Sequence, residues 1–159
     1  MVTVGDLAPE FSTPLVTDEM TSCTLSEAIV DGPVILAFFP GAFTSVCTGE
    51  MRTFRDRIGD VTDAGATLYG ISTDSPFALR EFREQNDLPF GLLSDHDREL
   101  VTAYDLRADM ESVGIHDVAD RAVVIVDPNG RVTYRWVGET LGDEPDYDGV
   151  IAAARDAAD

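Results

Sequence analysis

The most constraining feature of this chain is the run Val34-Ile35-Leu36-Ala37-Phe38-Phe39, which is apolar without interruption and is bounded by Pro33 before it and Pro40 after it. A strand with one wet face alternates polar and apolar residues. A continuous apolar run of this length is instead a strand covered on both faces. It therefore needs a layer on each side and belongs at the centre of an α/β sheet.

The residues after it supply one such layer. Beyond the Pro40–Val46 turn, Cys47, Met51, Phe54, Ile58 and Val61 recur at helical spacing, which predicts one helix running to about Asp63 with the cysteine on its apolar stripe. Gly65 closes that helix and Thr67–Ser72 reads as the next strand. Asp74-Ser75-Pro76 then opens a second helix with a capping residue and a proline in its first turn. The order strand, helix, strand, helix predicts parallel neighbours with helices on the faces.

Farther on, Leu92-Leu93-Ser94 is a short buried piece, Asp97–Tyr104 a short helix, and Arg107–Asp120 a polar stretch without periodicity. Ala122–Val126 and Arg131–Trp136 flank Asp127-Pro128-Asn129-Gly130, a hairpin signal, and a helix over Tyr147–Ala157 follows. Ahead of the central run, residues 1–30 read as an extended lead-in. Within it Thr21–Leu25 alternates so that Cys23 and Leu25 share a face, and Ser26–Ile29 is a short helical segment. This layout predicts a thioredoxin-like α/β fold, a central mixed β-sheet flanked by helices. With no linker and no internal repeat, residues 1–159 are expected to form a single domain.

Charge narrows the function classes. Thirty acidic residues stand against 11 basic ones, all arginine, for a formal net charge of −19. Such a surface repels phosphate backbones and anionic membranes, so no nucleic acid and no membrane partner is expected. Its self-repulsion suits concentrated salt, which shortens the screening length to about 3 Å at 1 M; the composition reads as halophilic. No apolar run approaches the roughly 20 residues of a membrane span. The first ten residues carry Asp6 and Glu10 and no export signal, so a cytoplasmic location is expected.

The chemistry concentrates at one thiol. Cys23 and Cys47 form no C-x-x-C pair and join no Cys/His cluster, which argues against a metal site and against a dithiol centre. Cys47 opens a helix, where unpaired N–H groups and the positive end of the dipole favour the reactive thiolate. Thr44 can cap that helix through its hydroxyl and present the same hydroxyl beside the sulfur, while Pro40 supplies a rigid wall. Phe43 could line the entrance. Cys23 occupies an inward strand position and reads as packing. His96 and His116, each flanked by acidic residues, read as exposed loop.

The spacing P-x-x-x-T-x-x-C of Pro40, Thr44 and Cys47, set after Phe38-Phe39, resembles the signature of the peroxiredoxins, the thiol-specific antioxidant and alkyl hydroperoxide reductase superfamily. The likeness extends from Gly5-Asp6-Leu7-Ala8-Pro9-Glu10-Phe11 through Leu93-Ser94-Asp95 to Arg121 before Asp127-Pro128-Asn129-Gly130. It implies a peroxidase that needs no cofactor and no metal. Cys47 would attack a peroxide oxygen and become a sulfenic acid, Arg121 would be the active-site arginine, Thr44 would orient the peroxide, and Glu50 would hold the arginine. Five residues after Cys47 stands Arg52, and no cysteine lies near the C-terminus. The chain is thus similar to the one-cysteine, alkyl-hydroperoxidase-E-like branch, which implies resolution by an external thiol or a thioredoxin- or glutaredoxin-like reductant, and a homodimer or larger homo-oligomer. Three alternatives stay open: Cys23 as the resolving cysteine, a thioredoxin-fold redox sensor or interaction protein, and a thiol hydrolase using one of the histidines.

Overall fold

Every residue of Val34–Phe38 is buried, and the segment forms the strand β3 inside a seven-stranded sheet. The structure, a computed structural model, describes residues 2–159. From edge to edge the sheet runs β2 (Met20–Thr24), β1 (Ser12–Val16), β5 (Gly91–Ser94), β4 (Thr67–Ser72), β3, β8 (Ala122–Val126) and β9 (Val132–Val137). The pairs β3–β4 and β4–β5 are parallel and the others antiparallel, so the sheet is mixed.

Alternation along β3 divides the core into two layers. Ile35, Ala37 and Phe39 face the layer built by α2 (Ser45–Asp56), α3 (Ile58–Asp63), α4 (Pro76–Gln85) and α6 (Tyr147–Ala158), through Cys47, Met51, Phe54, Val61, Leu79, Phe82, Val150 and Ile151. Val34, Leu36 and Phe38 face the opposite layer, built by the N-terminal segment, α1 (Leu25–Ala28) and α5 (Glu99–Ala103) through Phe11, Leu25, Ile29, Leu100, Val101 and Tyr104. The doubly covered strand and its helices are therefore as expected. Gly70 of β4 lets α2 lie close to the sheet: a Cβ there would stand 3.1 Å from the Met51 sulfur and 2.8 Å from Leu92.

Three segments differ from the sequence expectation. The single helix to Asp63 breaks at Arg57 (φ −104°, ψ 9°), whose N–H reaches the carbonyls of both Thr53 and Phe54 as the last turn tightens. The Arg57 guanidinium then pairs with Asp60 and Asp148, each at 2.8 Å, tying the break to the next helix and to α6. Ile58 and Val61 stay on the same layer, which is why the periodicity runs through the break. The lead-in contains a hairpin, β1–β2, whose inner strand also pairs with β5. Pro14 inside β1 hides it, because proline argues against a ladder. The patternless stretch is a second, separate sheet of β6 (Arg107–Met110) and β7 (Ile115–Ala119), with a register shift between Ala108 and Met110. Most of its side chains are exposed or half-buried, so no one-faced pattern marks it.

Among the described residues no helix is long and apolar enough to cross a membrane.

Candidate active site

The turn from β3 into α2 is closed by its own hydrogen bonds. The Phe39 N–H still donates to the Ile71 carbonyl at 2.9 Å, which extends the sheet to the edge of buried Pro40. The Ala42 N–H then donates to the Asp74 carboxylate at 2.8 Å, and Phe43 takes a left-handed conformation, φ 69°, that folds the chain back. A left-handed aromatic residue is strained. The ring is held on Phe82 in an edge-on contact at 5.5 Å and is largely exposed, so Phe43 braces the outside of the turn and is not in the wall of the Cys47 cavity.

Thr44 stands at the N-cap of α2 with extended backbone, as expected, but its hydroxyl does not cap the helix. It donates backward to the Gly41 carbonyl at 2.8 Å, because the left-handed Phe43 curls that carbonyl under the side chain. The first-turn N–H groups of α2 are left uncapped by any side chain and surround the start of the helix where Cys47 lies.

Cys47 is 1% exposed and lines a cavity of about 230 Å³ walled by Pro40, Thr44, Val46, Met110, Arg121 and Leu141. Arg121 enters it from the far half of the chain. The register that pairs Phe38 with Ala122 brings the residue before β8 beside the end of β3. The guanidinium makes three hydrogen bonds there: Nη2 donates to Cys47 Sγ at 3.0 Å, Nη1 to Glu50 Oε1 at 2.8 Å, and Nε to the Leu141 carbonyl at 2.9 Å. Burial works against its charge, but Glu50 and Cys47 outweigh it and hold the guanidinium above its ordinary value.

Glu50 lies one helical turn after Cys47 and is fully buried. Burial pushes its carboxyl up to about 8, with Arg121 opposing and Glu144 adding to the rise. Its second oxygen, Oε2, is buried without a hydrogen-bond partner. One cation thus serves two acidic groups, a thiol and a carboxyl. A guanidinium held on three fixed acceptors presents its charge at one place, which is what an attack that builds negative charge on a departing oxygen requires.

The two cysteines are not brought together. Cys23 packs in the layer with Phe11 and Leu25, Cys47 in the layer across the sheet, and both are free thiols. Burial pushes the Cys23 thiol up, and Tyr69 is its neighbouring hydroxyl. His96 Nδ1 lies 3.1 Å from the Thr73 carbonyl, and exposed His116 faces Asp109 at 3.6 Å. Neither histidine is in the wall of the Cys47 cavity. No group of three or more His, Cys, Asp or Glu side chains could hold a metal ion among the described residues. Met110, Leu141 and Gly142 of the wall do not figure among the residues the sequence singles out. Leu141 acts through its carbonyl, which leaves no mark in a side-chain pattern, and Met110 lies in the stretch without periodicity.

The profile of the AhpC/TSA family matches residues 4–135. Peroxiredoxin Bcp of Escherichia coli strain K12 is 31% identical over 131 residues, 82% of each chain. A Mycobacterium tuberculosis protein that also bears the name peroxiredoxin is 38% identical over 134 residues, again 82% of each. Among solved structures, peroxidoxin BcpB from Mycobacterium tuberculosis superposes with a TM-score of 0.86 at 27% identity, covering 98% of both chains. AhpC of the same organism superposes with a TM-score of 0.82 at 30% identity, covering 99% of this chain and 93% of its own.

Proposed function

Because the chain belongs to the AhpC/TSA family and is a thiol-dependent peroxidase of the peroxiredoxin kind, we propose that Cys47 is the sulfur that takes the peroxide oxygen and that an external thiol restores it. The observation that carries the assignment is the 3.0 Å contact from Arg121 Nη2 to Cys47 Sγ. It aims the one buried guanidinium of the cavity at the thiol.

In the first step the Cys47 thiolate attacks the terminal oxygen of R–O–O–H. An S–O bond forms and the O–O bond breaks. Sulfur gives up two electrons and becomes the sulfenic acid, and the departing RO⁻ takes a proton and leaves as the alcohol. Arg121 and the uncapped first-turn amides of α2 stabilise the charge on the departing oxygen, and the Thr44 side chain and the Pro40 ring wall the approach. Glu50 holds the guanidinium in its fork as a positioning residue. In the second step one external thiol displaces water from the sulfenic acid to give a mixed disulfide, and a second thiol releases Cys47 as thiol and itself departs as a disulfide.

External resolution is supported by the sheet between Cys23 and Cys47: a disulfide needs Cα atoms within about 7 Å, and side chains in opposite layers do not meet that geometry. The reading carries a thiol-rich setting such as the cytoplasm, where cysteines are kept reduced, and a thioredoxin- or glutaredoxin-like protein or small thiol as reductant. A homodimer or larger homo-oligomer belongs to the same reading.

The test is peroxide consumption with several thiol donors, together with mass spectrometry after one equivalent of peroxide. The parent is expected to turn over and to gain one oxygen on Cys47. Unaltered consumption by Cys47→Ser would overturn the assignment.

A further inference from the structure

Two cavities meet over the Cys47 turn. The first, of about 230 Å³, holds Cys47 and Arg121. The second, of about 430 Å³, runs past Ala42, Ala78, Ile115 and Val118. Among the described residues only Pro40, Thr44 and Met110 line both. Two of these are immobile, since Pro40 is a buried ring and the Thr44 hydroxyl is tied to the Gly41 carbonyl. Met110 is different: a long, unbranched side chain whose rotations cost little.

The backbone delivers it there. Met110 ends β6 just after the register shift that follows Ala108, and such a bulge re-aims the side chain beside it. The Met110 methyl consequently hangs over the turn, 3.9 Å from where a Cβ on Gly41 would stand.

We propose that Met110 is a specificity-determining residue, the partition between the cavity where the O–O bond is cleaved and a neighbouring groove whose alanines, Ile115 and Val118 take the carbon tail of an organic hydroperoxide. The proposal rests on the assignment of Cys47 as the reacting sulfur. Hydrogen peroxide has no tail and fits the smaller cavity alone. That cavity falls below the range of about 300–1,000 Å³ typical of small-molecule sites, whereas the groove falls within it, so the groove has room for the substituent of a hydroperoxide that extends past Met110. The lining joins two alanines, an isoleucine and a valine to polar side chains already engaged within the protein, Asp74 on the Ala42 N–H, Ser75 on the Ala78 N–H, His96 beside the Thr73 carbonyl and Arg98 on the Asp117 and His96 carbonyls, which leaves the apolar side chains as the contact for a tail.

The experiment compares kcat/KM for cumene hydroperoxide with kcat/KM for hydrogen peroxide in the parent, Met110→Ala and Met110→Trp. Each protein supplies its own ratio, so a fraction of misfolded enzyme cancels. Removing most of the side chain is expected to raise the ratio about tenfold, and the bulky indole to lower it by a similar factor, the scale of adding or removing carbons in an apolar pocket. A ratio that is the same in all three active proteins overturns the partition and leaves Cys47 untouched. Full peroxidase activity in Cys47→Ser overturns the assignment beneath it, and the two failures are told apart.

Discussion

Arg121 Nη1 donates to Glu50 Oε1 at 2.8 Å across 71 positions of sequence, and the two side chains are 2% and 0% exposed. Removing the carboxyl leaves a buried guanidinium donor without its acceptor, and removing the arginine leaves the carboxyl without its donor, at a cost of about 1–3 kcal/mol. The pair also points the remaining guanidinium nitrogen at Cys47.

Arg121→Gln is therefore expected to lower kcat/KM for peroxide by about 10²–10³, the cost of one preorganised donor to a developing oxyanion. It should lower stability as well. Stopped-flow oxidation read beside a denaturation curve separates the two, because a purely structural arginine would lose stability without slowing the folded fraction. Arg121→Lys should restore little, since an ammonium cannot reach Cys47, Glu50 and the Leu141 carbonyl from one planar fork.

Glu50 sets a pH dependence whose sign can be worked out. Its carboxyl titrates near an ordinary 4.5 in the unfolded chain and is pushed up to about 8 in the folded one. Between those values the folded state binds more protons, so its stability declines as pH rises from about 4.5 through about 8. Glu50→Gln has no such proton to lose. Denaturation midpoints across that range should drift in favour of the glutamine variant as pH rises, and parallel curves would show that another group titrates.

Cys23→Ser is expected to keep its turnover with an external thiol. The sheet stands between the two sulfurs, and the variant removes nothing from the Cys47 cavity. Loss of an intramolecular disulfide together with a collapse in rate would make Cys23 the resolving cysteine. A lower melting temperature alone would report only a hydroxyl placed among Phe11, Leu25 and their neighbours.

The net charge of −19 predicts that salt stabilises the fold. Raising potassium chloride from about 0.1 M to 1 M shortens the screening length from about 10 Å to 3 Å and relieves acidic self-repulsion. The melting temperature should climb over that range. A flat response would show that the acidic side chains are spaced widely enough not to feel one another.

The parts of the fold that were legible are those with a burial pattern. Val34–Phe38 is apolar throughout because both faces are covered, and Cys47, Met51 and Phe54 keep step because one stripe of α2 meets the sheet. The spacing of Pro40, Thr44 and Cys47, and the family resemblance that singled out Arg121, pointed to groups that the fold gathers around one cavity. What stayed hidden lacks such a pattern. The sheet of β6 and β7 is mostly exposed, β1 carries Pro14, and the Leu141 carbonyl belongs to a backbone that any residue could supply. The Thr44 hydroxyl could bond forward to the helix or backward to the turn, and the left-handed Phe43, invisible in sequence, decides it.

The Phe38–Ala122 register has a consequence for the life of the chain before it is complete. The Arg121 contact with Cys47 spans 74 positions and exists only when two strands from opposite halves of the polypeptide have zipped together in one alignment. A slip of a single residue would turn every side chain of the late strand to the other face. A nascent chain whose first half has left the ribosome carries the cysteine without its guanidinium. Cys47 acquires its guanidinium neighbour only with the pairing of β3 and β8, the event that closes the middle of the molecule.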